Sequence, residues 1–149
     1  MRIHVLSDLH TEFTPYIPDP AADRADVVVL AGDIGVRTRG VEWAKRTFRQ
    51  PTFYVPGNHE YYGGHLHRTL LKMSALNDER FMVADCDEMI VGDVRLLGFT
   101  AWTDYTATGN LPLATWDARS SMADFRAIRI GSYRKVVPED FIRINIQSR

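Results

Sequence analysis

The sequence predicts an α/β fold, a mixed sheet with flanking helices, and three observations carry that prediction. Short β-branched and aliphatic runs recur through the first sixty residues, with a helical apolar period between the second and the third. One run, Val27-Val28-Val29-Leu30-Ala31, is apolar throughout, as a strand buried on both faces should be. Each of the first three runs ends in a polar or glycine-bearing loop, and the carboxyl ends of the strands are where open α/β sheets bind ligands.

Residues 2 to 7 are the first predicted strand and lead into Asp8-Leu9-His10; residues 27 to 31 are the second and end at Gly32-Asp33. Residues 40 to 49 read as a helix. Val41, Ala44, Thr47 and Phe48 share one face, while Glu42, Lys45, Arg46 and Arg49 form a solvated face rather than a phosphate site. A third strand, 52 to 55, runs into Pro56-Gly57-Asn58-His59-Glu60, and a helix follows over about 65 to 77. Glu88-Met89-Ile90-Val91 and Val94-Arg95-Leu96-Leu97-Gly98-Phe99 flank Gly92-Asp93 and predict an added β-hairpin. Residues 105 to 135 carry the least pattern: Gly109-Asn110 marks a break, and a helix fits around 114 to 129. No repeat or linker divides the chain, so a single domain is expected over residues 1–149.

A chain of 149 residues can bury roughly 68 to 70% of its unfolded surface, enough for a real core. Eighteen Lys+Arg against nineteen Asp+Glu give a formal net charge of -1, which speaks against a nucleic-acid partner. The single cysteine, Cys86, excludes an internal disulfide and fits a reducing compartment. No apolar run resembles a signal peptide or a membrane span, so a cytoplasmic protein with no membrane partner is expected.

Asp8 and His10 stand two residues apart, so in extended backbone they point the same way and can share one cation. The two oxygens of the Asp33 carboxylate could bridge a pair of metals, and Asn58 offers an amide oxygen beside the His59 imidazole. Oxygen and nitrogen donors without thiolate suit Mn, Fe, Zn or Co and do not choose among them. Each motif alone is an everyday loop; three in order, each directly after a strand, are specific.

In that order, Asp-x-His, Gly-Asp and Gly-Asn-His-Glu, the sequence resembles the calcineurin-like metallophosphoesterases. Glu60-Tyr61-Tyr62-Gly63-Gly64 and Thr100-Ala101-Trp102-Thr103-Asp104 are similar to the small bacterial branch, and Met122-Ala123-Asp124-Phe125-Arg126 echoes it more faintly. The resemblance implies the amino-terminal part of an α/β/β/α sandwich and a metal-dependent phosphoesterase acting on a small phosphomonoester or phosphodiester. By it, Asp8 and His10 hold the first of two divalent cations, Asp33 bridges both, Asn58 holds the second, and His59 faces the leaving group. Two cations about 3.5 to 4 Å apart would share a hydroxide as nucleophile. Glu12, Tyr61, Tyr62, Trp102 and Asp104 would line the cleft.

The sequence departs from the family in two respects. Its histidines are His4, His10, His59, His65 and His67, so the later Gly-His and Gly-His-x-His motifs are missing and the second cation keeps fewer ligands. His65 and His67 diverge by about 200° on a helix and are expected on its surface, and His4 is expected to be structural. Where the protein-phosphatase branch has a second aspartate that orients the catalytic histidine, this chain has Val36, which disfavours a protein substrate. The missing portion normally supplies much of a second sheet, so exposed apolar strand surface is expected, with either a truncated gene product or self-association covering the gap. The alternating Phe141–Ile146 segment could add a strand or seek a partner. Two alternatives to the enzyme remain in view: a non-catalytic scaffold or partner-binding module on the same fold, as in retromer, and a nuclease of the superfamily.

Overall fold

Four strands, β1 (Ile3–Leu6), β2 (Val27–Ala31), β3 (Thr52–Val55) and β4 (Phe81–Val83), pair in parallel and in chain order in the computed structural model, which describes residues 1–148. Register pairs His4 with Val28, Leu30 with Tyr54, and Tyr54 with Val83, and side chains alternate between the two faces of such a sheet. One face, with Leu6, Val28, Leu30, Tyr54, Phe81 and Val83, packs on α1 (Arg39–Thr47) and α2 (Leu66–Ser74) through Val41, Ala44, Leu66 and Met73. The sequence locates the first three strands and both helices within a few residues. It does not reveal β4, because three residues are too few to establish a period.

The opposite face receives the hairpin β5 (Asp87–Val91) and β6 (Val94–Gly98), joined at Gly92-Asp93 as the sequence predicts. Gly98 makes the docking possible: a Cβ there would lie 2.7 Å from both the Phe53 ring and a Val55 methyl. On the edge strand β1, Ile3 and Val5 remain 44% and 59% exposed, and Leu97 and Ile90 on the hairpin are also exposed. Apolar strand surface is thus bare, as expected from the sequence.

The last third of the chain is helical, and here the sequence reading needs two corrections. The helix expected around 114 to 129 is two helices, α3 (Leu111–Ser121) and α4 (Asp124–Ala127), because Met122 turns to an extended conformation between them. The Phe141–Ile146 segment, whose alternation suggests a strand, lies inside α5 (Pro138–Gln147). Pro138 presets the first helical turn, Asp140 accepts from the Val137 amide at 3.0 Å, and Phe141 is buried with Ile142 and Ile144 packed beside it. A five-residue alternation cannot outweigh those start signals. Between α4 and α5 run two short antiparallel strands, β7 (Arg129–Ile130) and β8 (Arg134–Lys135). Trp102 ties this layer to the sheet end: its ring stacks on Phe141 at 4.1 Å and tilts against Tyr61 at 5.7 Å.

Asp140 also holds a two-pronged ion pair with Arg134, at 2.6 and 2.7 Å, and the guanidinium is the chief reason its carboxyl lies below the usual carboxylate range. Asp140→Ala is expected to lower stability by about 2 kcal/mol in urea denaturation, losing a cap and a charge-assisted pair together. A folded-state pKa below the unfolded one means that the stabilisation is present above the unfolded pKa. It fades as pH falls through the folded value, so the gap between parent and variant should close in acid.

Candidate metal centre

The carboxyl ends of β1, β2 and β3 lie side by side at one edge of the sheet, and two backbone bonds knit the loops beyond them. The Asp8 amide donates to Gly32 O and the His10 amide to Asp33 O, both at 3.0 Å. Asp8, His10 and Asp33 all have positive φ, at 53°, 45° and 55°, a conformation that costs a non-glycine residue energy unless its surroundings enforce it. Three of the four metal ligands expected from the sequence are therefore strained, and the fourth, Asn58, immediately precedes His59.

Glu60 supplies the enforcement. It is fully buried, and its two oxygens accept from five donors. Oε1 takes the Ile34 amide at 2.8 Å, the Gly35 amide at 3.3 Å and the Tyr54 hydroxyl at 2.7 Å; Oε2 takes the Gly57 amide at 2.8 Å and the Asp33 amide at 3.1 Å. Burial pushes its pKa up, the bonds from Tyr54, Gly35 and Gly57 oppose that rise, and the nearby Asp33 charge adds to it. Asp33 is clasped from the other side, its Oδ1 accepting from the His59 amide at 2.9 Å. Gly57 must lack a side chain, since a Cβ would come within 2.2 Å of that same oxygen.

Donor atoms of His10, Asp33 and His59 lie within 4.8 Å of one another, the spacing of a shared cation. The two imidazoles meet edge to face at 4.3 Å. His10 Nδ1 is buried without a hydrogen-bond partner, so nitrogen and oxygen donors converge with capacity to spare, and a divalent cation fits them. Asp8 stands on the same edge through its amide bond to Gly32, but its carboxylate is outside that triad and exposed. Asn58 Nδ2 donates to the Tyr62 hydroxyl at 3.3 Å, which donates on to Asp124 Oδ2 at 3.2 Å, leaving Asn58 Oδ1 free for a ligand. Asp124 is 3% exposed. Burial first, and then the Asp124 charge, push the Tyr62 hydroxyl up to about 12, so it stays a donor at neutral pH.

Glu12 faces His59, a contact that sequence reading reduces to cleft lining. Its Oε1 lies 3.2 Å from His59 Nδ1 and 3.5 Å from His10 Nδ1. Burial raises the Glu12 pKa, but its own backbone amide, the bond from His59 and the nearby His10 outweigh that and leave the carboxyl below its ordinary value. The loop after β1 thus sets a carboxylate beside His59. The 47-residue separation of Glu12 from His59 explains why no local motif announces it. His65 is a correction: it is 8% exposed rather than on the surface, capping α2 with Nδ1 accepting from the Arg68 amide and Nε2 donating to Gly131 O at 2.9 Å. His67 is exposed, and His4 is half-buried against Phe48, as expected.

A sequence model of the calcineurin-like phosphoesterases matches residues 1–125, which include every residue of this site. The chain belongs to that family. A solved structure similar to it, the phosphopantetheinyl hydrolase from Mycobacterium tuberculosis, superposes with a TM-score of 0.68 over 99% of the chain at 16% identity, which establishes a shared fold. The chain spans 61% of the length of that protein. No curated protein matches. Among the described residues, no helix is long and apolar enough to cross a membrane.

Glu60→Gln should uncouple the loops, because an amide cannot accept from all five donors and turns its own N–H groups towards some of them. The expected cost is about 3 kcal/mol in thermal or chemical unfolding, together with loss of Mn affinity by calorimetry.

Proposed function

We propose that the chain is a metal-dependent phosphoric ester hydrolase acting on a small phosphomonoester or phosphodiester. The observation that carries this reading is the convergence of His10, Asp33 and His59 at one strained sheet edge in a chain of this family. Asp8 and His10 would hold one divalent cation, Asp33 would bridge to a second, and Asn58 Oδ1 would face that second ion. Bound Mn, Fe, Zn or Co would supply Lewis acidity and an acidified water for in-line attack.

The protein's own groups do the rest. Glu60 fixes the Asp33 backbone through its amide and the His59 amide holds the Asp33 carboxylate, so the carboxylate is oriented before any ligand arrives. Glu12 accepts from His59 Nδ1, which leaves Nε2 as the nitrogen that can give a proton or a hydrogen bond to the departing oxygen. A cavity of about 500 Å³, bordered by Gly57, Asn58, Val55, Phe99, Trp102 and Met122, offers an apolar wall for the organic part of the ester. The single cysteine supports a reducing, cytoplasmic setting.

A scaffold reading draws on one observation: residues 1–149 bring only Asp33 and Asn58 to the second cation. Mn-dependent hydrolysis of p-nitrophenyl phosphate and bis-p-nitrophenyl phosphate separates the two. The parent should turn over at least one of them, and Asp33→Ala should lose more than about 100-fold in kcat/KM. Equal inactivity of parent and variant, with no metal bound, would leave the scaffold.

A further inference from the structure

A second concavity, of about 360 Å³, gathers Arg37, Arg68, Lys72 and Arg129 against Gly63 and Tyr133. No Asp or Glu lines it, and none of these four cations takes part in an ion pair among the described residues. In a chain of net charge -1, four uncompensated positive charges in one hollow oppose folding through mutual repulsion. Arg68 and Lys72 add a like-charge i,i+4 pair on α2. These are not one solvated helix face, because Arg37 follows β2, Arg68 and Lys72 belong to α2, and Arg129 opens β7.

The guanidinium groups are positioned rather than loose. Arg37 Nη2 donates to Gly63 O at 2.5 Å, and Arg129 Nη1 donates to Tyr133 O at 3.1 Å. Arg68 donates to the Tyr133 hydroxyl and lies 4.7 Å from that ring's centroid. Every anchor is a neutral acceptor, so the full charge and most of the donors of each fork stay available to an anion. Arg37 and Tyr133 hold positive φ, at 55° and 70°, so two residues of the wall are strained as the metal ligands are. The first turn of α2 also borders the hollow through His65 and Arg68 and adds its positive dipole end.

We propose that this cleft binds a phosphate group of a small ligand, and that the ligand is a substrate whose second phosphate is cut at the metal centre. Its walls continue the two loops that carry the site. Arg37 follows Asp33 by four residues and Gly63 follows His59 by four, which keeps each pair of Cα atoms within about 14 Å. A bisphosphorylated molecule of matching span would engage both. The link to hydrolysis rests on the phosphoesterase reading, whereas anion binding does not.

The test begins with metal-free protein in EDTA, titrated with inorganic pyrophosphate and followed by amide NMR. Shifts should centre on Gly63, Gly64, Arg68 and Thr69, and Arg68→Gln combined with Lys72→Gln should weaken binding at least about tenfold. With Mn restored, the double variant should raise KM for adenosine 3′,5′-bisphosphate by a similar factor and leave p-nitrophenyl phosphate unchanged. Absent shifts at those amides, or equal affinity in parent and double variant, would overturn the proposal. So would a short thymidine oligonucleotide that occupies the cleft more tightly than pyrophosphate, since that marks a nucleic-acid groove. Pyrophosphate binding in a protein that hydrolyses nothing would sustain the anion cleft, refute the substrate assignment and locate the failure in the phosphoesterase reading.

Discussion

The site depends on one buried carboxylate. Glu60 has no exposed surface, and leaving it there unpaired would be prohibitive, so the chain surrounds it with five hydrogen-bond donors from three segments. That requirement closes the loop after β2 onto the loop after β3, as no apolar contact could, because loop backbone has to be satisfied as well as packed. Asp33 is then held through its amide by Glu60 and through its Oδ1 by the His59 amide. The positive φ angles at Asp8, His10 and Asp33, each of which costs on the order of 1 to 3 kcal/mol, persist because this framework leaves the backbone no relaxed alternative. Strain and pre-organisation are here one arrangement described twice.

Around that framework the chain places groups that tune its donors. Glu12 gives His59 a carboxylate partner, and Tyr62, resting on Asp124, turns the Asn58 amide so that its oxygen is free. Tyr62 also stacks on the His59 ring at 4.2 Å, so one side chain steadies both members of the Asn-His pair. Trp102 reaches the same neighbourhood through Tyr61, coupling the helical layer to the segment that begins at His59. Disturbance of α5 should therefore be felt at the sheet edge, although α5 contributes no residue to the triad.

Much of this is legible in the sequence, for identifiable reasons. Val27–Ala31 is apolar throughout because both faces of β2 are covered over most of its length, and Gly32-Asp33 follows because the strand's end is where the chain turns towards the ligand side. The same logic locates Asp8 and the Asn58-His59 pair. What escapes is whatever depends on distance along the chain. Glu60 reads as one more letter of a motif, while its task is to accept from amides some twenty-five residues earlier, and Glu12 meets His59 across nearly twice that interval. The misread α5 is a failure of another kind: five alternating residues fit a strand or one side of a helix equally, and Pro138 with Asp140 decides between them. His65 likewise reads as surface because a cap buried against Gly131 is a property of the fold and not of its neighbours in sequence.

His10, Asp33 and His59 are poised around a common point before any ion arrives. A crystal of the protein soaked in Mn, with data collected at a wavelength where Mn scatters anomalously, tests that arrangement most directly. A peak is expected about 2.0 to 2.2 Å from Asp33 oxygen and His10 nitrogen with the loops unmoved. A protein that takes up Mn elsewhere, or whose three side chains stand apart while Glu60 remains buried, would contradict it.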